Sequence, residues 1–150
     1  MNKLNIAIAD DNERMLDLLG NIIHQDKELE LVGQAENGKD MYEIIRNKEP
    51  DVVLLDIFMP KMDGLTVMEK VNTDKTLKKR PAFIVVSAVG QERITEDAFN
   101  LGAYYYILKP FDNEFLLDRI KDIGNLSSGK RTLHRPVQGQ AVLPKPERNL

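Results

Sequence analysis

The sequence predicts an α/β fold in which helices wind both faces of a parallel sheet. Two observations carry that prediction. Short apolar runs of strand character alternate with stretches whose apolar residues recur at helical spacing, and the connections between them are short. Parallel strands joined in this way need right-handed helical crossovers, so the sheet ends up buried between helices. At 150 residues the chain is long enough to bury such a core without metals or disulfides, and it contains no cysteine.

The elements follow in order. Leu4 to Ala9 has the pattern of a buried strand, and Met15, Leu18, Leu19, Ile22 and Ile23 then fall on one stripe of a helix. Leu29 to Ala35 is expected as the second strand, followed by a helix over Lys39 to Asn47 with Met41, Ile44 and Ile45 inward. Val52 to Leu55 is apolar throughout, as a central strand should be, and a helix around Leu65 to Val71 follows. A strand at Phe83 to Ser87 precedes a helix with Ile94, Ala98 and Leu101 inward. A strand at Tyr104 to Leu108 and a helix near Asn113 to Ile123 complete five βα units. From Asn125 onward the sequence carries Ser, Gly, Pro136, Pro144 and Pro146 without a sustained period, so residues 125–150 are expected to form a flexible linker or tail.

Composition narrows the class. With 42% hydrophobic and 30% charged residues the chain has the balance of an ordinary soluble domain, and no apolar run approaches the roughly 20 residues of a membrane helix. The opening "MNKLNIAIADDN" lacks the features of a signal peptide, so the expected location is cytoplasmic, with no membrane partner. The net charge of −3 conceals a tail of +4, which leaves −7 for residues 1–124. An acidic body does not grip nucleic acid by itself, because phosphate neutralisation needs a basic face.

In a doubly wound sheet the working groups gather outside the carboxyl ends of the strands. There the sequence places Asp10 and Asp11 after the first strand, Asp56 after the third, Ser87 at the end of the fourth, and Lys109 followed by Pro110 after the fifth. Singly, each has an ordinary explanation as a helix cap, a turn residue or a solvated charge. Jointly they do not, since three carboxylates at ~4 Å would repel by roughly 4 kcal/mol per pair at an effective dielectric of about 20. Oxygen donors without cysteine or histidine favour a hard cation, Mg²⁺, with Ca²⁺ or Mn²⁺ as substitutes. Such an ion beside a carboxylate, with an ammonium and a hydroxyl opposite, is equipment for phosphoryl transfer, and Asp56 is the expected nucleophile.

The segments "IADDN", "DVVLLDIFMPKMDG", "VVSAVG" and "YYYILKPFD" occur in the order and spacing of the receiver domain of two-component response regulators, which residues 3–124 resemble. The resemblance implies a flavodoxin-like sheet in strand order 2-1-3-4-5, with residues 1–124 as the phosphoacceptor domain. It implies phosphorylation at Asp56 by a phosphohistidine on a sensor kinase or histidine-containing phosphotransferase. The implied metal ligands are Asp11, Asp56 and the backbone carbonyl of Phe58, assisted by Asp10; Lys109 is the site lysine, and its bond to Pro110 is implied to be cis. Ser87 and Tyr106 are implied as the switch pair, the aromatic ring turning inward when the hydroxyl moves toward the phosphoryl group. A phosphorylation-favoured homodimer is expected, as is control of DNA through an effector domain absent from this chain. Within the family, "VGQE" and "LGAYYYILKPFD" are similar to receivers that commit endospore-forming bacteria to sporulation.

Other functions fit less well. A phosphatase with an aspartate nucleophile and Mg²⁺ needs a second aspartate two residues on as general acid, and Phe58 stands there. A flavin binder needs a first loop that welcomes phosphate, and "ADDN" is anionic. A receiver-like docking module that is never phosphorylated is the remaining alternative. His24 and His134 are expected in surface or packing roles, and Lys78, Lys79 and Arg80 as a solvated loop.

Overall fold

In the computed structural model, which describes residues 3–128, strands and helices alternate along the chain. They are β1 (Leu4–Ala9), α1 (Glu13–His24), β2 (Leu29–Ala35), α2 (Gly38–Lys48), β3 (Val52–Leu55), α3 (Gly64–Thr73), β4 (Ala82–Ser87), α4 (Glu92–Asn100), β5 (Tyr105–Leu108) and α5 (Asn113–Ser128). The five strands are parallel in order β2-β1-β3-β4-β5.

Because side chains alternate across a strand, each central strand feeds two cores. Ile6, Ile8, Val52, Leu54, Ile84, Val86 and Ile107 face one layer, where α1 contributes Leu16, Leu19 and Ile23 and α5 contributes Leu116, Ile120 and Ile123. Ala7, Ala9, Val53, Leu55, Phe83, Val85 and Tyr106 face the other, covered by Met41 and Ile45 of α2, Val67 and Met68 of α3, and Ala98 and Phe99 of α4. Four helices start on side-chain caps: Asn12 accepts from the Met15 amide, Asn37 from the Asp40 amide, Asp63 from the Thr66 amide and Asp112 from the Phe115 amide.

The first three strands have the expected bounds; elsewhere the structure corrects the sequence reading. Leu18 is 40% exposed, and Leu16 takes its place inward, so the buried stripe of α1 is rotated from the expected one. Leu16, Leu19 and Ile23 repeat at intervals of three and four and pack on the sheet with Ile22. Ile44, half-buried, packs against the core as expected, whereas Leu101 packs there as the C-cap of α4, whose buried face Thr95, Ala98 and Phe99 form. Helix α5 runs to Ser128, beyond Ile123 and into the expected linker. The rest of that linker, from residue 129, lies outside the described residues. None of the described helices is long and apolar enough to cross a membrane.

Candidate phosphoryl-transfer site

The sheet places the site residues through its backbone ladder. β1 and β3 run in register to Ala9 and Leu55, and the ladder continues one residue further. The Asp56 amide donates to the Ala9 carbonyl at 3.0 Å, and the Asp10 amide to the Ala35 carbonyl at 3.1 Å. Asp10 and Asp56 therefore stand at the same edge on adjacent strands. On the other side Ser87 pairs with Leu108, and the Lys109 amide donates to the Ser87 carbonyl at 2.9 Å. Since Asn12 caps α1, the carboxylates of Asp10 and Asp11 are left for other work, although one Asp10 oxygen accepts from the Asn12 amide at 2.9 Å.

The side chains converge. Lys109 Nζ donates to Asp10 Oδ2 at 2.6 Å and to Asp56 Oδ2 at 3.5 Å. Asp10 is 1% and Asp56 7% exposed, whereas Asp11 is open to solvent. Oxygens of Asp10, Asp11 and Asp56 all lie within 4.8 Å of one another. Three carboxylates facing one ammonium leave an excess of negative charge, and their hard oxygen donors at this spacing fit a divalent cation of the Mg²⁺ kind. Burial raises the pKa of the Asp56 carboxyl, Lys109 opposes that, and the neighbouring Asp10 charge adds to it.

The loop after β3 is shaped by its backbone. The Gly64 amide donates to the Ile57 carbonyl at 2.7 Å, and a Cβ at Gly64 would come within 2.4 Å of the Asp56 carbonyl oxygen. Only glycine allows α3 to begin so close to the Asp56 main chain. Lys61, at φ 69°, makes the left-handed bend before it. Phe58 projects from this loop with its ring 51% exposed.

Ser87 is buried, and its Oγ accepts from the Val89 amide at 3.2 Å. Tyr106 is fully buried, turned inward, and its hydroxyl donates to the Val89 carbonyl. Loop β4–α4 is thus held at Val89 by both members of the expected switch pair. Burial pushes the Tyr106 phenol up, while the Ser87 and Thr95 hydroxyls bear on it in the opposite sense. The role of the Val89 backbone had no signal in the sequence, because it is main chain. The Lys109–Pro110 bond is cis.

His24 is exposed at the end of α1, and His134 lies outside the described residues. The basic loop is less free than expected: Lys79 pairs with Asp51, and Arg80 donates to the carbonyls of Val71 at 3.2 Å and Asp74 at 2.8 Å. Lys78 and Arg80 are exposed and Lys79 is half-buried.

Known proteins share this fold. A receiver domain of the response regulator NarL from Mycobacterium tuberculosis superposes with a TM-score of 0.72 at 26% identity, covering 81% of this chain and 98% of that one. A DNA-binding response regulator of the LuxR family from Staphylococcus aureus gives 0.75 at 28% identity over 81% and 99%. CheY from Borrelia burgdorferi, in complex with CheX, BeF3 and Mg²⁺, gives 0.73 at 29% identity over 82% and 90%. Residues 6–121 match the family described as the response regulator receiver domain, and with its strand order and strand-end carboxylates the chain belongs to that family.

Proposed function

We propose that the chain is a phosphorylation-activated signalling switch of a two-component or phosphorelay system, with Asp56 as the phosphoacceptor. The observation that carries this reading is the meeting of Asp10, Asp11, Asp56 and Lys109 at one sheet edge, with Asp56 held rigidly by a buried strand. A phosphohistidine on a sensor kinase or phosphotransferase is the donor. An Asp56 carboxylate oxygen attacks phosphorus in line, the P–N bond breaks, its electron pair returns to the imidazole, and an acyl phosphate remains. Asp10, Asp11, Asp56 and the Phe58 carbonyl would hold Mg²⁺, which when bound neutralises equatorial phosphoryl oxygens. Lys109 exchanges part of its bond to Asp10 for the new phosphoryl oxygens, and Ser87 turns its hydroxyl toward them. Water attack on phosphorus later restores Asp56, so the chemistry resets the switch rather than turning over an external substrate.

The Borrelia relative, in complex with BeF3, a stand-in for a phosphoryl group, and Mg²⁺, supports metal-assisted phosphoryl chemistry here. Phosphorylation then favours a homodimer and controls a DNA-binding effector domain that follows α5. The likeness of "VGQE", "LGAYYYILKPFD" and "IADDN" to stage zero sporulation protein A supports initiation of sporulation as the controlled process, carried out in the cytoplasm. Incubation with acetyl phosphate and Mg²⁺ tests the reading by intact mass. One labile phosphoryl group, lost in Asp56→Ala, is the expected result. Steady phosphate release without an adduct would replace the switch with a phosphatase, and neither adduct nor release would leave a docking module.

A further inference from the structure

A glycine opens α2, and nothing within the helix requires it. Gly38 follows the cap Asn37 with an ordinary helical backbone that any residue adopts, and glycine there favours the helix less than alanine would. The reason lies outside the helix. A Cβ on Gly38 would stand 2.0 Å from the Met62 carbonyl oxygen, 2.7 Å from its carbonyl carbon and 2.9 Å from its Cβ. The two nearest of these atoms are main chain, so no change of rotamer could make room for a side chain.

Met62 belongs to the loop between β3 and α3. There its amide donates to the Pro60 carbonyl at 2.7 Å across Lys61, whose φ is 69°. A three-residue turn of that hand is strained and persists only where its surroundings hold it. On one side the Gly64 amide closes the loop on the Ile57 carbonyl, and buried Met59 anchors its first half. On the other, Met62 is seated against the start of α2. That start is itself fixed: buried Asn37 accepts from the Asp40 amide at 2.8 Å and donates to the Asp40 carboxylate at 3.0 Å. The loop held in this way carries Phe58, whose carbonyl belongs to the proposed ligand set.

We propose that Gly38 is a positioning residue of the phosphoryl-transfer site: its bare Cα lets the capped start of α2 hold the Lys61 bend and so aim the Phe58 carbonyl. The effect on the cation rests on that ligand set, but the effect on the loop does not.

The test compares Gly38→Ala with Gly33→Ala in the full chain. A Cβ at Gly33 would meet the Ile44 side chain at 2.9 Å, so that variant strains the packing of α2 on β2 without touching the loop. Thermal melting, backbone NMR of the loop in metal-free protein, and a Mg²⁺ titration followed by NMR are read together. Gly38→Ala is expected to shift the amides of Phe58, Met59 and Lys61 and to weaken Mg²⁺ binding by about tenfold, the low end of the cost of disturbing a ligand's support. Gly33→Ala should melt lower than the parent while leaving both readings unchanged. If Gly38→Ala does not fold, Asn37→Ala, which removes the cap and adds no bulk, decides by the same two readings in the same directions. Loop amides that stay in place in folded Gly38→Ala, or Mg²⁺ affinity that follows melting temperature across the variants, overturn the proposal. A parent protein that binds no Mg²⁺ would defeat the ligand set alone, since the loop comparison in metal-free protein still decides the role of Gly38.

Discussion

Lys109 binds Asp10 more closely than Asp56: its ammonium is 2.6 Å from the first carboxylate and 3.5 Å from the second. Asp10 is thereby neutralised inside the sheet edge, while Asp56 keeps an oxygen less committed to a partner. The lysine both compensates the acidic cluster and competes with any cation that enters it.

Lys109→Ala should therefore tighten Mg²⁺ binding, by about tenfold or ~1.4 kcal/mol, while weakening the phosphoryl-driven change at Ser87. A Mg²⁺ titration followed by NMR at constant ionic strength reads the affinity. Weaker binding in the variant would mean that the lysine orders the carboxylates rather than competing for them.

Asp56→Asn should raise the melting temperature of the unmodified protein at neutral pH. Burial raises the Asp56 pKa in the fold above its ordinary 3.8, with Asp10 adding to that and Lys109 opposing it. The folded state thus holds the Asp56 proton more tightly than the unfolded chain does. The parent loses this contribution as pH rises through the raised value and keeps it below the ordinary one. The gain from Asn should accordingly be largest near neutrality and shrink as pH falls through that window, which paired melting curves would show. Phosphoryl uptake should fall over the same acid window, because only the ionised carboxylate attacks.

Gly64→Ala should cost about 1–3 kcal/mol, because the new methyl must displace the main chain at Asp56 and not a pliable side chain. Denaturant unfolding measures the loss. Phosphoryl uptake should drop with it even in variant protein that remains folded, since the displaced backbone is the one that aims the nucleophile.

Lys61→Gly should stabilise the fold by up to about 1 kcal/mol, since a left-handed φ strains a residue bearing a side chain and glycine's extra freedom when unfolded offsets only part of the relief. Equilibrium unfolding would register the change. A loss of stability would show that the lysine side chain contributes an interaction of its own.

Legibility in the sequence depended on the physical origin of each feature. The strands at Leu4–Ala9, Leu29–Ala35 and Val52–Leu55 stood out because burial on the sheet demands apolar runs bounded by polar turns. The side that α1 presents did not, because Met15, Leu16, Leu18 and Leu19 support two stripes and only the sheet chooses between them. Helix α5 outran its expected end because the Ser and Gly around it have the composition of a linker, although Leu126 follows Ile120 and Ile123 at helical spacing. Asp10, Asp56, Ser87 and Lys109 were legible as strand-end residues that topology must bring to one edge. The preference of Lys109 for Asp10 was not, since it depends on side-chain reach. Nor was the tie in which Asp74, below α3, accepts from Thr76, Tyr42 and Arg46, bonds that hold its carboxyl well below the usual range. Tyr42 and Arg46 are distant from Asp74 in sequence and carry no motif.

Borohydride reduction of the protein after reaction with acetyl phosphate and Mg²⁺ would locate the phosphoryl bond chemically, because hydride converts an acyl phosphate to an alcohol. Peptide mapping should then find homoserine at position 56, dependent on donor and metal, with Asp10 and Asp11 unchanged. Homoserine elsewhere, or an adduct that resists borohydride, would contradict an acyl phosphate on Asp56.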